Sequence, residues 1–217
     1  MNIFTFTEVK KDFPHALERT YAAGQIIFYH GDAPNQVMFI KSGAVKFFDT
    51  DSEGKEKIMH IGGEGSIFPL FYAFEDKDSI DAFYATVTET EVLIVPLADF
   101  QNKLKISADY AFRTLQWYAR EMDHIVLRLK SLEKSSSKQK ILQALYYLSD
   151  QHSTRNKKKP EWYSINFPLT QQTLADMTGL TRETVNVTLK DDEIMKVVRM
   201  KRQTFEICRE KVAEILQ

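Results

Sequence analysis

Two rhythms of apolar residues divide the chain. From Tyr21 to Leu97, short apolar runs are cut at close intervals by turn residues: Gly31-Asp32, Ser42-Gly43, Ser52-Glu53-Gly54 and Gly62-Gly63-Glu64-Gly65. The segment from Val37 to Phe47 alternates as a strand with one buried face does. Strands this short and this regularly punctuated predict a small antiparallel barrel or sandwich. From about Ser107 the period changes. Leu115, Tyr118, Met122, Ile125, Leu129 and Leu132 step by threes and fours in alternation, the a/d seam of a helix that pairs with another helix. Phe112, Trp117, Ala119 and Val126 make other parts of that helix apolar as well. One flank therefore packs on the barrel, and the seam meets a second copy of the chain.

The segment "EKSSSKQKI" breaks the long helix, and Ser135, Ser136 and Ser137 offer caps for the next one, which carries Ile141, Leu142, Leu145, Tyr146 and Leu148. The predicted domains are residues 1–106, a β-roll; 107–134, the long helix; and 135–217, the remainder. Lys157 to Lys159 read as a solvated loop, and "WYSINF" as a short strand.

The stretch "LTQQTLADMTGLTRETVNVTL" carries the most specific signal. Thr170 caps a helix running to Met177. Ala175 lies where two helices cross closely, and Gly179 takes the positive φ of a tight turn at no steric cost. Thr181 caps the second helix, and Val185 and Leu189 turn inward. A small residue, a glycine four positions later and an aliphatic residue six after that form the pattern of a DNA-reading helix-turn-helix. In "KVVRMKRQTFEI" that follows, Val197-Val198 and Thr204 to Ile207 pair as strands, with Met200 to Gln203 at the tip. This is a wing with cations at its end. On the second helix, Arg182, Glu183, Asn186, Val187 and Lys190 share one side. Arginine donates two hydrogen bonds to a guanine edge, glutamate accepts from cytosine N4, and asparagine pairs with adenine. Val187 can only meet a thymine methyl or exclude a base. Thr170, Gln171, Thr181, Lys190, Lys201 and Arg202 are the candidate phosphate contacts.

Charge sharpens this division. Residues 1–134 carry 15 basic and 20 acidic side chains, a net −5, and residues 135–217 carry 14 and 10, a net +4. A basic C-terminal part suits a polyanion. The longest apolar run, Ile67 to Phe74, is far below the roughly 18 residues of a membrane span, and the N-terminus lacks the pattern of a signal peptide. The chain reads as cytoplasmic. Its single cysteine, Cys208, excludes an internal disulfide and any multi-cysteine metal site. A cupin-like barrel that binds metal or catalyses a reaction would need clustered histidines and carboxylates. His15, His30, His60, His124 and His152 are scattered, with surface or capping roles expected for each.

The order of barrel, long helix, helix-turn-helix and wing resembles the CRP/FNR family of transcription regulators over nearly the whole chain. The roll segments "GDAPNQVMFIKSGAVKFF" and "GGEGSIF" carry that resemblance together with the C-terminal motif. It implies an α+β chain: an antiparallel β-roll of the cyclic nucleotide-binding type, resembling a jelly roll, then a dimerisation helix and a winged helix-turn-helix. It implies a homodimer on inverted-repeat double-stranded DNA, with RNA polymerase as a partner for an activator, no membrane and no enzymatic activity. The cyclic-AMP-responsive branch has Arg-Glu-Thr-Val-Gly-Arg on its recognition helix; Arg182, Glu183, Thr184 and Val185 match it, while Asn186 and Val187 depart. Beyond Leu189, "KDDEIMKVV" reaches the wing about one helical turn early, with Asp191, Asp192 and Glu193 placed as acid at a helix C-terminus. A member that has lost DNA binding and acts through protein contacts remains the alternative.

The same resemblance marks Phe68, Pro69, Leu70, Ile80 and Asp81 as effector-pocket positions. Pro69-Leu70 stands where nucleotide-binding members carry Gly-Glu, and Ile80-Asp81 where they carry Arg-Ser. Asp81 would repel a phosphate. Cyclic AMP bound in the usual mode, an iron–sulfur cluster and any other cofactor are not expected.

Overall fold

A computed structural model describes residues 4–75 and 77–216 of the 217, including every side chain among them but that of Ser131. The first three residues of the N-terminal segment lie outside that range. The chain divides into two units, Met1–Phe48 with Ile61–Met122, and Asp49–His60 with Asp123–Gln217.

The first unit opens with α1 (Phe6–Asp12), set by a reciprocal capping box between Thr5 and Glu8. Eight strands follow along the chain, the end of the fourth and most of the fifth falling among the residues 49–60 that belong to the second unit: β1 (Leu17–Tyr21), β2 (Ile26–Phe28), β3 (Gln36–Ser42), β4 (Val45–Thr50), β5 (Glu56–Gly62), β6 (Ile67–Phe68), β7 (Phe83–Thr86) and β8 (Thr90–Pro96). They form two four-stranded sheets, in the orders β1-β8-β3-β6 and β2-β7-β4-β5, and every pairing with a stated register is antiparallel. This is the antiparallel β architecture that the turn spacing predicts, in the roll form that the resemblance implies. The turn between β3 and β4 depends on Gly43, whose φ is +91°; a Cβ there would lie 2.4 Å from the Glu89 carbonyl oxygen.

Two apolar clusters fill this unit. One gathers Phe4, Phe13, Phe39, Phe100 and Tyr110 with Val37, Leu70 and Leu93. The other gathers Phe28, Phe68, Tyr72 and Tyr84 with Met38, Ile40 and Ile80. Phe100 lies on α2 (Leu97–Ile106), a helix the strand-like pattern of the roll did not announce.

The long helix is α3 (Ala108–Glu133). Its Tyr110 and Thr114 are buried, and the Trp117 indole N–H donates to the Gly65 carbonyl at 3.1 Å. On the predicted seam, Leu115, Met122, Leu129 and Leu132 are exposed, and Tyr118 and Ile125 half-buried.

The second unit is built on α4 (Ser137–Gln151), capped by Ser136, which buries Ile141, Leu142, Leu145, Tyr147 and Leu148. The strands β9 (Ser153–Arg155) and β10 (Trp162–Ile165) precede α5 (Gln171–Thr178), α6 (Arg182–Thr188) and α7 (Asp192–Val197); β11 (Val198–Lys201), β12 (Thr204–Cys208) and α8 (Arg209–Leu216) complete it. The sheet order is β11-β12-β10-β9. Two links bring residues 49–60 into this unit. Arg128, buried on α3, donates to the Ile58 carbonyl at 2.9 Å and also to the Met177 carbonyl on α5. The Tyr147 hydroxyl and His60 Nδ1 are 2.7 Å apart. His60 thus has an interior role, and so does His152, which is 9 % exposed. His60 departs from the expected surface or capping role, whereas His152 is the C-cap of α4, its backbone N–H donating to the Leu148 carbonyl. His124 lies 3.7 Å from an Asp150 carboxylate oxygen.

Candidate nucleic-acid interface

The helix-turn-helix is assembled by local rules. Thr170 caps α5 by accepting from the Thr173 amide, and Thr181 caps α6 by accepting from the Thr184 amide. Between them Gly179 adopts φ +69°, ψ 17°, the left-handed conformation that closes α5. Leu174, Ala175 and Met177 from α5 and Val185 from α6 are buried where the helices meet. A seven-residue helix does not hold itself in water; the Thr181 cap and the buried Val185 hold this one. That is how Thr184, Val185, Val187 and Thr188 are tolerated in a helix despite their β-branching.

The outward side of α6 presents Arg182, Glu183 and Val187, all exposed, Val187 at 69 %. Asn186 differs from these neighbours. It is half-buried, and its side-chain oxygen accepts from Gln171 Nε2 at 3.3 Å. Lys190 is exposed but lies past the end of α6, in the turn closed by Lys190 N–H to Val187 and Asp191 N–H to Thr188. The candidate phosphate contacts Thr170, Thr181, Lys201 and Arg202 are exposed, and Gln171 is half-buried.

The exit from α6 corrects the sequence reading. Asp191, Asp192 and Glu193 do not sit at a helix C-terminus. Asp191 is the N-cap of α7 and accepts from the Glu193 and Ile194 amides at 2.9 and 3.3 Å. Acid there meets the positive end of a helix, which is favourable. Between α6 and the wing stands α7; Val197 closes it rather than opening a strand, and β11 starts at Val198. The signal was readable, since Asp191 precedes two acids and a buried Ile194, the pattern of a helix start. Lys138 at the start of α4 pairs with Asp191 at 3.7 Å and also with Glu193. Sequence reasoning missed Lys138, because pairing across elements leaves no local pattern.

The wing is β11 and β12, turning at Arg202 with φ +57°. The Leu169 amide, just before α5, donates to the Gln203 carbonyl at 2.8 Å, so the wing turn is tied to the entry of the helix-turn-helix. Arg199 stacks over Trp162 at 3.7 Å from the ring centroid.

In the roll, the five effector-pocket positions do not share one environment. Phe68 and Ile80 belong to one apolar cluster, and Leu70 to the other. Asp81 accepts from the Tyr72 hydroxyl at 2.7 Å, and Lys77 Nζ is 3.3 Å away. The Tyr72 hydrogen bond, the largest influence, holds the Asp81 carboxyl below its usual range; burial opposes it, and Lys77 adds to the lowering. Burial pushes the Tyr72 hydroxyl up. Among the described residues no group of three or more His, Cys, Asp or Glu could hold a metal ion, and no helix is long and apolar enough to cross a membrane.

Comparison with known proteins agrees with this architecture. Residues 18–107 match the cyclic nucleotide-binding domain, and residues 139–212 the Crp-like helix-turn-helix domain. The chain is 26% identical over 200 residues to the Cyclic AMP receptor protein of Thermus thermophilus, covering 92% of this chain and 88% of that protein. It is 26% identical over 174 residues to the Global nitrogen regulator of Synechocystis, covering 79% and 76%. Among solved structures, FixK2 from Bradyrhizobium japonicum superposes with a TM-score of 0.76 at 17% identity, covering 92% of this chain and 96% of that one. The two matched domains, in this order on either side of one long helix, carry the conclusion that the chain belongs to the CRP/FNR family of DNA-binding transcription regulators, which are not enzymes.

Proposed function

We propose that this regulator works as a cytoplasmic homodimer, each subunit placing α6 in the major groove of one half of an inverted repeat. The observation that carries the reading is the outward side of α6: Arg182, Glu183 and Val187 stand in solvent, with Lys190 following and the cations of the wing, Lys201 and Arg202, exposed in the same unit. Arg182, Glu183, Asn186 and Val187 meet bases; Thr170, Gln171, Thr181, Lys190, Lys201 and Arg202 meet phosphates. Residues 1–106 act as the sensor domain, 107–134 as the dimer helix and 135–217 as the DNA-binding domain.

Dimerisation rests on the seam of α3. On the seam, Leu115, Leu129 and Leu132 are each at least 48 % exposed, and Phe112 and Val126, outside it, are also exposed; such apolar exposure is costly on a lone helix and natural between two. The usual cyclic-nucleotide mode is disfavoured by chemistry. Ile80 is fully buried where the resemblance puts an arginine, and Asp81 is kept anionic where a phosphate would have to approach. The sole cysteine is 2 % exposed, which is no basis for a four-cysteine cluster. As an activator, the dimer would also meet RNA polymerase.

Fluorescence polarisation on genomic fragments, with salt varied, tests the reading. Saturable binding should weaken steeply with salt, and Lys201→Ala should lower the log–log slope by about 1. Binding that never saturates, or that ignores salt, would reject it. Light scattering should give a dimer that Leu129→Asp dissociates.

A further inference from the structure

We propose that Gln171 is a positioning residue for base readout: its hydrogen bond to Asn186 fixes which way the asparagine amide faces, and so which bases it accepts. The inference rests on the DNA reading of α6 and deepens it.

An asparagine reads adenine by using both ends of its amide, the oxygen accepting from N6 and the nitrogen donating to N7. That requires the oxygen to face the groove. Here the Asn186 oxygen is taken by Gln171 Nε2 from the first turn of α5. The nitrogen, with its two donors, is the end left for the groove. Two donors suit guanine, which offers both N7 and O6, or thymine O4; adenine offers them N7 alone, beside an N6 donor that then meets no acceptor. Asn186 therefore selects guanine or thymine, not the adenine that its residue type suggests. Its half-buried position, between exposed Glu183 and Val187, fits a side chain held from the side rather than one free to choose its rotamer.

Gln171 Nε2 has a second hydrogen. With one donated to Asn186, the other remains for a backbone phosphate, so the same amide would link helix placement to base choice. The helix contact itself does not depend on this bond, because Leu174, Ala175 and Val185 are buried there. Changing Gln171 should thus alter readout without unfolding the motif.

Selection of bound sequences from a random pool tests this, run on the full-length protein with wild type, Asn186→Ala, Gln171→Ala and Gln171→Glu, each first checked by thermal melting. Asn186→Ala identifies the base column that Asn186 reads. Wild type should show guanine or thymine there. Gln171→Ala should flatten that column alone and weaken the selected duplex by about three- to tenfold. Gln171→Glu should reverse the column towards adenine or cytosine, because a carboxylate can only accept, and so turns the Asn186 oxygen outward. Adenine in the wild-type column would overturn the proposal. So would a Gln171→Ala column left intact while all sequences weaken equally, the signature of a phosphate contact alone. If wild type enriches nothing, the DNA reading of α6 itself fails, and the proposal with it.

Discussion

In the first unit, Phe100 packs its ring against Phe13, Phe39 and Tyr110 and is fully buried. In the second, α6 is seven residues long and buries only Val185. Burying one large apolar side chain is worth roughly 1.5–3 kcal/mol, so the roll draws its shape from many such contributions. The helix α6 draws its shape from the Thr181 cap and a single buried valine, after the left-handed Gly179 has closed α5 before it. The roll can therefore lose stability at almost any interior position. The outward side of α6 can change freely without touching the fold. A regulator built this way can alter its target sequence while keeping its scaffold.

Breaking the roll should have the largest effect. Phe100→Ala leaves a cavity in a fully buried aromatic cluster and should cost about 3–5 kcal/mol in urea unfolding. Arg128→Ala comes next. It strips a charged donor from the Ile58 and Met177 carbonyls, at about 2–3 kcal/mol, with Arg128→Lys recovering part of the loss. Burial lowers the Arg128 pKa, yet a guanidinium stays charged throughout the usual range, so the loss should not vary between mild acid and neutral pH. Asp191→Ala removes the cap of α7 and should cost about 1 kcal/mol. An unchanged stability would mean that α7 is held by Ile194 and Val197 alone.

The smallest effect sharpens the comparison on the side of the roll. The folded state depresses the Asp81 pKa, chiefly through Tyr72, so it favours the carboxylate. That stabilisation is present above the ordinary value of 3.8 and is lost as pH falls through the lower folded value. Tyr72→Phe removes the hydroxyl that donates to the Asp81 carboxylate and accepts from the Asp81 amide, and should therefore destabilise at neutral pH, by about 1 kcal/mol. In strong acid the gap between variant and wild type should narrow. A gap that holds constant with pH would assign the loss to packing.

What the sequence made legible follows the same division. The roll announced itself through turn spacing, and the helix-turn-helix through Thr170, Ala175, Gly179 and Thr181, because each of those features is set by neighbours in the chain. The seam of α3 was legible as a period; the structure finds Leu115, Leu129 and Leu132 exposed on it. The helix α2 escaped because the strand pattern runs directly into it at Leu97. The acidic exit was misread because Asp191 to Glu193 were assigned to the helix that precedes them rather than to the one that they begin. The links Gln171–Asn186, Lys138–Asp191 and Arg128–Met177 span 15, 53 and 49 positions. Such pairs arise only when the fold brings two elements together, so no local pattern encodes them.

The central claim is that the outward side of α6 reads base sequence, and one measurement meets it directly. The affinities of wild type and Glu183→Ala should be compared on the selected duplex and on duplexes changed one base pair at a time. Glu183 is exposed, so its removal should leave unfolding stability within about 0.5 kcal/mol. It should cost about 1–3 kcal/mol of binding, with the discrimination lost at one base pair in each half-site. An equal loss on every duplex, or no loss at all, would contradict the account.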